Sequence, residues 1–501
     1  MQSTIALSLS CLLFATIGAS SAQPPILIQG ATIATWNDSS QAIEVYPEAS
    51  ILVKGDAISH IYKKGERVPA GRVEVIDATN KILVPGFVST HHHVWQTIYK
   101  TLIPDLPFAA YFPRLGHMAP ISETLSTEDV YQSELMGALE LMNEGTTTWV
   151  DITPVLSPDK VEASWRATFA SGGRSFFGAT LQPKESFSED DQIAQIKSLA
   201  SRPELRNQSL VTVGLSYDGF DGASRESQKK VIDLVHSGGI NFITTHYVGG
   251  PFGNTNSPEL LNRPEWSLLN SSMPVIFSHS SHLTPLDASL LRQTNQHISI
   301  APESEQHFGH GNPHSHLVQD QAALAADSVF GYSTSLVSQA RMWLQSVRDR
   351  LQRRHVDEWY INTNTPMSVN QAFYLATRAG GLALHRPDLG IIAEGAKADL
   401  VMYDTTGPDL LGWRNPVAAI ILHSNPGDIS DVMVGGKFVK RNFKLTFGKY
   451  NQLKSQFKRS AEKFTEKYDK TDFGAVPHWF KLATYKDVME IDVVRGNATG
   501  Y

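Results

Sequence analysis

The chain has 501 residues, with 41% hydrophobic and 19% charged side chains and ordinary shares of glycine and proline, which excludes a disordered, collagen-like or coiled-coil majority. Its formal charge is −7, from 43 Lys+Arg against 50 Asp+Glu. No Lys/Arg block is long enough to neutralise a run of phosphates, so nucleic acid is not an expected partner.

The amino terminus reads as a processing signal. Ile5 to Ala19 is an uncharged, mostly apolar run, followed by Ser20, Ser21 and Ala22 and then Gln23-Pro24-Pro25. Residues 1–22 are expected to be a signal peptide cut after Ala22, giving a secreted protein. The run falls short of the ~20 apolar residues that a bilayer span requires, and no later stretch reaches that length, so no membrane partner is expected. The single cysteine, Cys11, lies inside it, which excludes disulfides and thiol catalysis from the processed chain. Asn-x-Ser/Thr triplets at Asn37, Asn207, Asn270 and Asn497 fit passage through a glycosylating compartment.

Next come short strand patterns, Ile26 to Ile33 and Ile51 to Ile61, with counterparts near the other end at Ala398 to Thr405, Ala418 to Ser424 and Asp431 to Asn442. The two ends are expected to share one sheet domain, a β-sandwich of 23–80 plus 390–445. Between them, eight apolar runs of strand length, at 82–93, 146–153, 174–181, 209–218, 240–248, 274–283, 297–304 and 327–335, alternate with segments of helical period such as Glu128 to Asn143. Such alternation predicts an α/β fold, a (β/α)8 barrel over 81–389. An open doubly wound sheet is less favoured, because no Gly-rich phosphate fingerprint follows the first strand. In the tail, 446–501, Leu453, Phe457, Ala461, Phe464 and Tyr468 form one apolar stripe and predict a helix laid against the body.

The chemistry concentrates in histidines at strand ends. His91 and His93 are two apart at the carboxyl end of the first barrel strand, so both face the barrel mouth while His92 turns away. His246, His279 and His282 recur at the ends of later strands. Functional groups of such barrels collect there, and neutral imidazole is the usual zinc ligand.

VPGFVSTHHHVWQT resembles the first-strand signature of the amidohydrolase superfamily, in its chlorohydrolase and cytosine-deaminase-like branch, and GAKADLVMYD with VMVGGKFVKRN resembles that branch's closing strands. The resemblance covers about residues 26–445. It implies a single divalent ion, zinc or another metal, held by His91, His93 and His246, with His279 on the metal or polarising substrate. It also implies that Gln96 faces substrate; His282 is a catalytic candidate with His279, and Glu303, in APESEQHFGHG, a substrate contact. His307, His310, His314 and His316 of that segment read as a solvated loop.

Three departures from the family pattern shape the functional reading. The aspartate that normally ends the eighth strand aligns with Ser335, and Asp327 is placed at the opposite end of that strand. Ser89 precedes the HxH pair where an acid or amide is usual. Gly249 stands where deaminases carry a proton-shuttling glutamate, which argues against ordinary nucleobase deamination. Asp151, Asp218 and Glu303 are the candidate replacement carboxylates. The expected function is a secreted hydrolase of C–N or C–O bonds in a small cyclic compound. The alternatives are a non-hydrolytic enzyme (elimination, decarboxylation, isomerisation or cyclisation) on the same scaffold and a binding protein without turnover. Association of identical copies stays open. Amino-terminal sequencing of material exported by the producing cell should begin at or near Gln23; material still starting at Met1 overturns the cleavage.

Overall fold

The structure, a computed structural model, describes residues 24–476, 478 and 483–489, apart from 69–70, 117–118, 155, 207–208, 254 and 271. The leader with Cys11 and the Asn207 and Asn497 triplets lie outside the described residues.

Five strands open the chain: β1 (Ile26–Asn37), β2 (Ala42–Lys54), β3 (Ala57–Tyr62), β4 (Glu74–Asp77) and β5 (Lys81–Pro85). Eight follow as β6 (Phe87–His92), β7 (Thr146–Ile152), β8 (Arg174–Thr180), β9 (Val211–Ser216), β10 (Ile243–Gly249), β11 (Val275–His282), β12 (His297–Ile300) and β13 (Ala322–Leu324). Four close it: β14 (Leu400–Asp404), β15 (Ile429–Val434), β16 (Lys437–Arg441) and β17 (Lys444–Leu445). The first and last groups form one nine-stranded sheet, in the order β17-β16-β15-β14-β5-β1-β2-β3 with β4 on β1. Ile28, Ile33, Ile51, Leu83 and Met402 share its buried core.

The strands β6 to β13 are parallel neighbours in sequence order, the wrapping of a barrel. Closure is made by the residues just past the last strand. The Asp327 N–H donates to the His91 carbonyl at 3.0 Å and the His93 N–H to the Asp327 carbonyl at 3.4 Å, and the His92 ring Nδ1 donates to the Asp327 carbonyl as well. His92 is therefore part of the seam.

Three sequence readings change. The stretch 418–424, expected as a strand of the end sheet, is helical, over Pro416–Ala418 and Ala419–His423. The run 82–93 contains two strands, because β5 pairs with β1 and β14 in the end sheet and only β6 belongs to the barrel. Gly86 is the crossing point, where a Cβ would lie 2.0 Å from Thr147 Oγ1 and only glycine fits. The eighth strand is Ala322–Leu324, and 327–335 is irregular. Three residues without β-branching in AALAAD carry too weak a β signal to be picked out beside the longer apolar run that follows.

The helices match their patterns more closely. Thr127–Asn143 starts with a capping box in which Ser126 and Asp129 satisfy each other's backbone N–H groups. The tail helix, Tyr450–Asp469, buries Leu453 and Phe464, the latter against Tyr99 with ring centroids 4.9 Å apart. No helix among the described residues is long and apolar enough to cross a membrane.

One buried ion pair joins the end sheet to the barrel. Arg174, which begins β8, donates from Nε and Nη2 to Asp399 at 2.8 and 3.0 Å, and both side chains are 4% exposed. Asp399→Ala should therefore lower unfolding free energy in urea by about 3–5 kcal/mol, whereas a paired Arg174→Met/Asp399→Leu replacement should cost much less, since only the single change strands a buried charge.

Candidate active site

At the carboxyl ends of the barrel strands lies a cavity of about 270 Å³. Its floor is built from β6, β10, β11 and the Asp327 turn. His91 Nε2 is 3.0 Å and His93 Nε2 3.4 Å from Asp327 Oδ1, and His93 Nε2 faces His246 Nε2 at 3.3 Å. The His279 ring lies 5.2 Å from that of His91. Two overlapping groups, His91/His93/His246 and His91/His279/Asp327, each bring their ligand atoms within 4.8 Å of one another.

Carboxylates behind the rings set which nitrogen faces the cavity. His246 Nδ1 donates to Asp218 Oδ2 at 2.8 Å, and His279 Nδ1 to Glu305 Oε1 at 3.1 Å. Each Nε2 is then left as a lone pair aimed forward, as in a metal-binding histidine oriented by a carboxylate. The carboxylates are themselves fixed. Asp218 accepts from the His246 N–H at 2.7 Å, and Glu305 from the Ala301 N–H at 2.9 Å and Asn312 Nδ2 at 2.5 Å.

Burial pulls His91 down to about 4 and His93 well below the usual histidine range. Burial also works to raise the Asp327 carboxyl, but the neighbouring His91, His279 and His93 outweigh it and hold the group well below the ordinary carboxylate range. His246 is desolvated too, and there the Asp218 charge wins and moves the ring upward. A set of imidazole lone pairs around one carboxylate oxygen suits a divalent ion of the zinc type. The residues present fit such a group, with His91, His93, His246, His279 and Asp327 as its holders.

Ser335 is corrected by this geometry. It caps the helix Leu336–Asp357, where its Oγ accepts from the Ser338 N–H at 3.4 Å, and Asp327 occupies the place expected of the family's eighth-strand aspartate. The strand ends at Leu324, three residues before Asp327, so the separation expected along one long strand does not exist.

The other candidates divide. Gln96 is buried behind the cavity wall, its Nε2 donating to Tyr111 OH at 2.9 Å and its Oε1 accepting from Ser328 Oγ at 2.8 Å, and those two partners line the cavity. Glu303 does not reach it. Pro302–His307 is a helix, so residues 303 and 305 diverge by ~200°; Glu303 accepts from Gln339 Nε2 at 2.7 Å, and Glu305 is the carboxylate that serves the site. His282 lies outside the cavity wall, its Nε2 donating to the His310 carbonyl at 2.6 Å. Asp151 is buried below the seam, where it accepts from the Val94 N–H at 3.1 Å. The loop reading fails for His310, which is 1% exposed and lines the cavity.

Aromatic rings supply the remaining wall: Phe108, Tyr111, Phe112, Phe252 and Phe308. The first three fall at i, i+3 and i+4 in the helix Phe108–Arg114, a spacing that puts them on one face. That pattern in PFAAYFPR was available in the sequence and marks the signal that was missed.

The amidohydrolase family model matches residues 82–439. The chain is 26% identical over 432 residues to a 5-methylthioadenosine/S-adenosylhomocysteine deaminase of Pelotomaculum thermopropionicum, covering 83% of this chain and 93% of that protein. It is 26% identical over 405 residues to a 5'-deoxyadenosine deaminase of Methanocaldococcus jannaschii, covering 78% and 91%. Among solved structures, an adenosine deaminase of Xanthomonas campestris with bound zinc superposes with a TM-score of 0.73 at 16% identity, covering 89% of this chain and 99% of that one. A zinc complex of the atrazine chlorohydrolase of Arthrobacter aurescens TC1 superposes at 0.72 and 16%, covering 87% and 100%.

If Asp218 orients His246 as described, Asp218→Asn should weaken zinc retention by about 10–100-fold in chelator competition. His91→Ala/His93→Ala should retain none, and unchanged metal content in that double variant removes the site from consideration.

Proposed function

From the chain's membership of the amidohydrolase family, we propose that it is a zinc-dependent hydrolase that cleaves a C–N bond of a small, planar nitrogen heterocycle, deamination being the reaction in the names of its relatives. One observation carries the reading: Asp327 Oδ1 sits 3.0 Å from His91 Nε2 at the mouth of the histidine set. The case for chemistry without water activation depended on the absence of that carboxylate.

A divalent ion at this set would polarise the substrate and lower the pKa of a water toward ~7. The protein's own part is to take and return a proton. Asp327, ionised and buried, accepts the proton of the attacking water and can hand it to the departing nitrogen, so that a C–O bond forms, the C–N bond breaks and ammonia leaves. Its second oxygen is held by Ser304 Oγ at 2.5 Å and Tyr332 OH at 3.3 Å, which keeps Oδ1 turned to the histidines. His279 and His246, aimed by Glu305 and Asp218, present their Nε2 atoms from the facing side. The aromatic wall excludes water from a flat ring and stacks on its faces. Export through the secretory route, with the leader removed after Ala22, is part of the same proposal and places the reaction outside the cell.

The test is ammonia release from adenosine and 5'-methylthioadenosine by zinc-loaded protein. Asp327→Asn should lower kcat by about 10²–10⁴-fold. Ser335→Ala should leave kcat unchanged and cost about 1 kcal/mol of stability through the lost cap. An Asp327→Asn variant as active as wild type, on whichever compound is turned over, sinks the mechanism.

A further inference from the structure

The fifth barrel strand ends His246-Tyr247-Val248-Gly249, so the position three residues past the metal-facing histidine holds no side chain. A side chain there would be strained and crowded. At Gly249, with φ +79°, a Cβ would lie 3.0 Å from the His282 carbonyl oxygen, and at Gly250 it would lie 2.7 Å from the His282 ring. His282, from the next strand, occupies that space, and its Nε2 bond to the His310 carbonyl fixes the backbone of the loop above.

That bond anchors a side chain in the cavity wall. The His310 ring packs edge-on to His279 with centroids 5.1 Å apart, and stands 5.1 Å from Phe108 and 5.2 Å from Phe252. It is 1% exposed, yet neither ring nitrogen has a hydrogen-bond partner among the described residues. Asn256, also in the wall and 3% exposed, gives its Nδ2 to the His246 carbonyl at 3.1 Å and leaves Oδ1 without a donor among them. Buried polar atoms are ordinarily satisfied, and leaving them unmade costs stability. Two such side chains lining one cavity next to the metal-facing histidines are groups kept for a ligand.

We propose that His310, with Asn256, makes the hydrogen bonds to the heterocycle that a carboxylate at position 249 would otherwise make. The inference rests on the hydrolase reading above and adds the substrate class. The ring carries a heteroatom that pairs with the His310 imidazole and an N–H or O–H that donates to Asn256 Oδ1. His282 is a positioning residue for this contact, and the paired glycines are what allow it to stand there.

The test compares wild type, His310→Phe and His310→Gln as zinc-loaded protein, in zinc content, melting temperature without ligand, and kcat/KM for ammonia release from adenosine and 5'-methylthioadenosine. His310→Phe should hold wild-type zinc and melt no lower than wild type, because it removes unsatisfied polar atoms from an apolar surround. Its kcat/KM should fall about 100-fold or more, with part recovered in His310→Gln, whose amide restores a donor and an acceptor. A kcat/KM within about two-fold of wild type overturns the proposal, as does a loss of rate that tracks a loss of zinc or of melting temperature. If wild type releases no ammonia from either probe, the deamination reading fails separately and melting decides His310: a lower value for His310→Phe at equal zinc assigns the ring to packing and overturns the inference, and an equal or higher value upholds it.

Discussion

The bond between the Asp327 turn and β6 is the constraint on which the rest depends. Backbone groups of Asp327, His91 and His93 close the barrel, and side chains of the same three residues converge on one carboxylate oxygen. Closing the sheet and assembling the site are thus a single event. A strand of only three residues, Ala322–Leu324, brings little ladder of its own to that seam, and the bonds made beyond its end complete the ring. Parallel barrels are packed through their interiors, so the seam also fixes how the inward side chains of β6 and β13 meet.

Backbone strain is spent at the same place. Asp327, His279 and Ser280 adopt φ of 54°, 73° and 49°, the left-handed region that L side chains avoid. Each such residue costs on the order of 1–3 kcal/mol and persists only where its surroundings over-determine it. Here they do. Asp327 is held through its N–H, its carbonyl and both carboxylate oxygens, and His279 through Glu305, which is itself held from two further directions. The result is a set of donor atoms whose directions are fixed before any ion or substrate arrives, which is what a site must supply if it is not to lose rate in reorganisation.

Much of this was legible in the sequence, and the parts that were not have physical reasons. Eight alternations gave a barrel because seven of its strands are apolar runs long enough to stand out. His91 and His93 were readable because a period of two is unambiguous next to a strand. The PGF stretch was readable as a resemblance, and the structure supplies its cause in the missing Cβ at Gly86 and the bond from its N–H to the Asp399 carbonyl. Asp327 was misplaced because the strand before it is three weak residues, so counting along a longer apolar run shifted the register of the whole end. Glu305 was passed over for Glu303 because a one-turn helix after β12 leaves no periodicity to read, and direction within it decides which carboxylate enters. His310 read as a loop residue because burial of a loop depends on what folds over it, here Phe108 and Phe252 from segments 202 and 58 residues away.

Those aromatic residues show how the fold separates two kinds of information. The groups that would hold a metal sit on strand ends and on the seam, where a shift of one position would undo closure as well as the site. The groups that would touch a ring come from connections: Phe108, Tyr111 and Phe112 from a short helix after β6, Phe252 from the turn after β10, and Phe308 and His310 from the segment after β12. Changes there leave the ladder untouched. Likeness of fold at 16% identity therefore speaks for the scaffold that carries both sets and is silent on what either set binds. The Gly249-Gly250 pair marks the boundary between them. It lies at the end of a strand, where a carboxylate would be tied to the ladder; under the inference above the polar contact falls instead to His310 on a loop, where length and sequence can vary without cost to the barrel. A site so divided could keep one set of strand-end groups and still change the compound it is applied to.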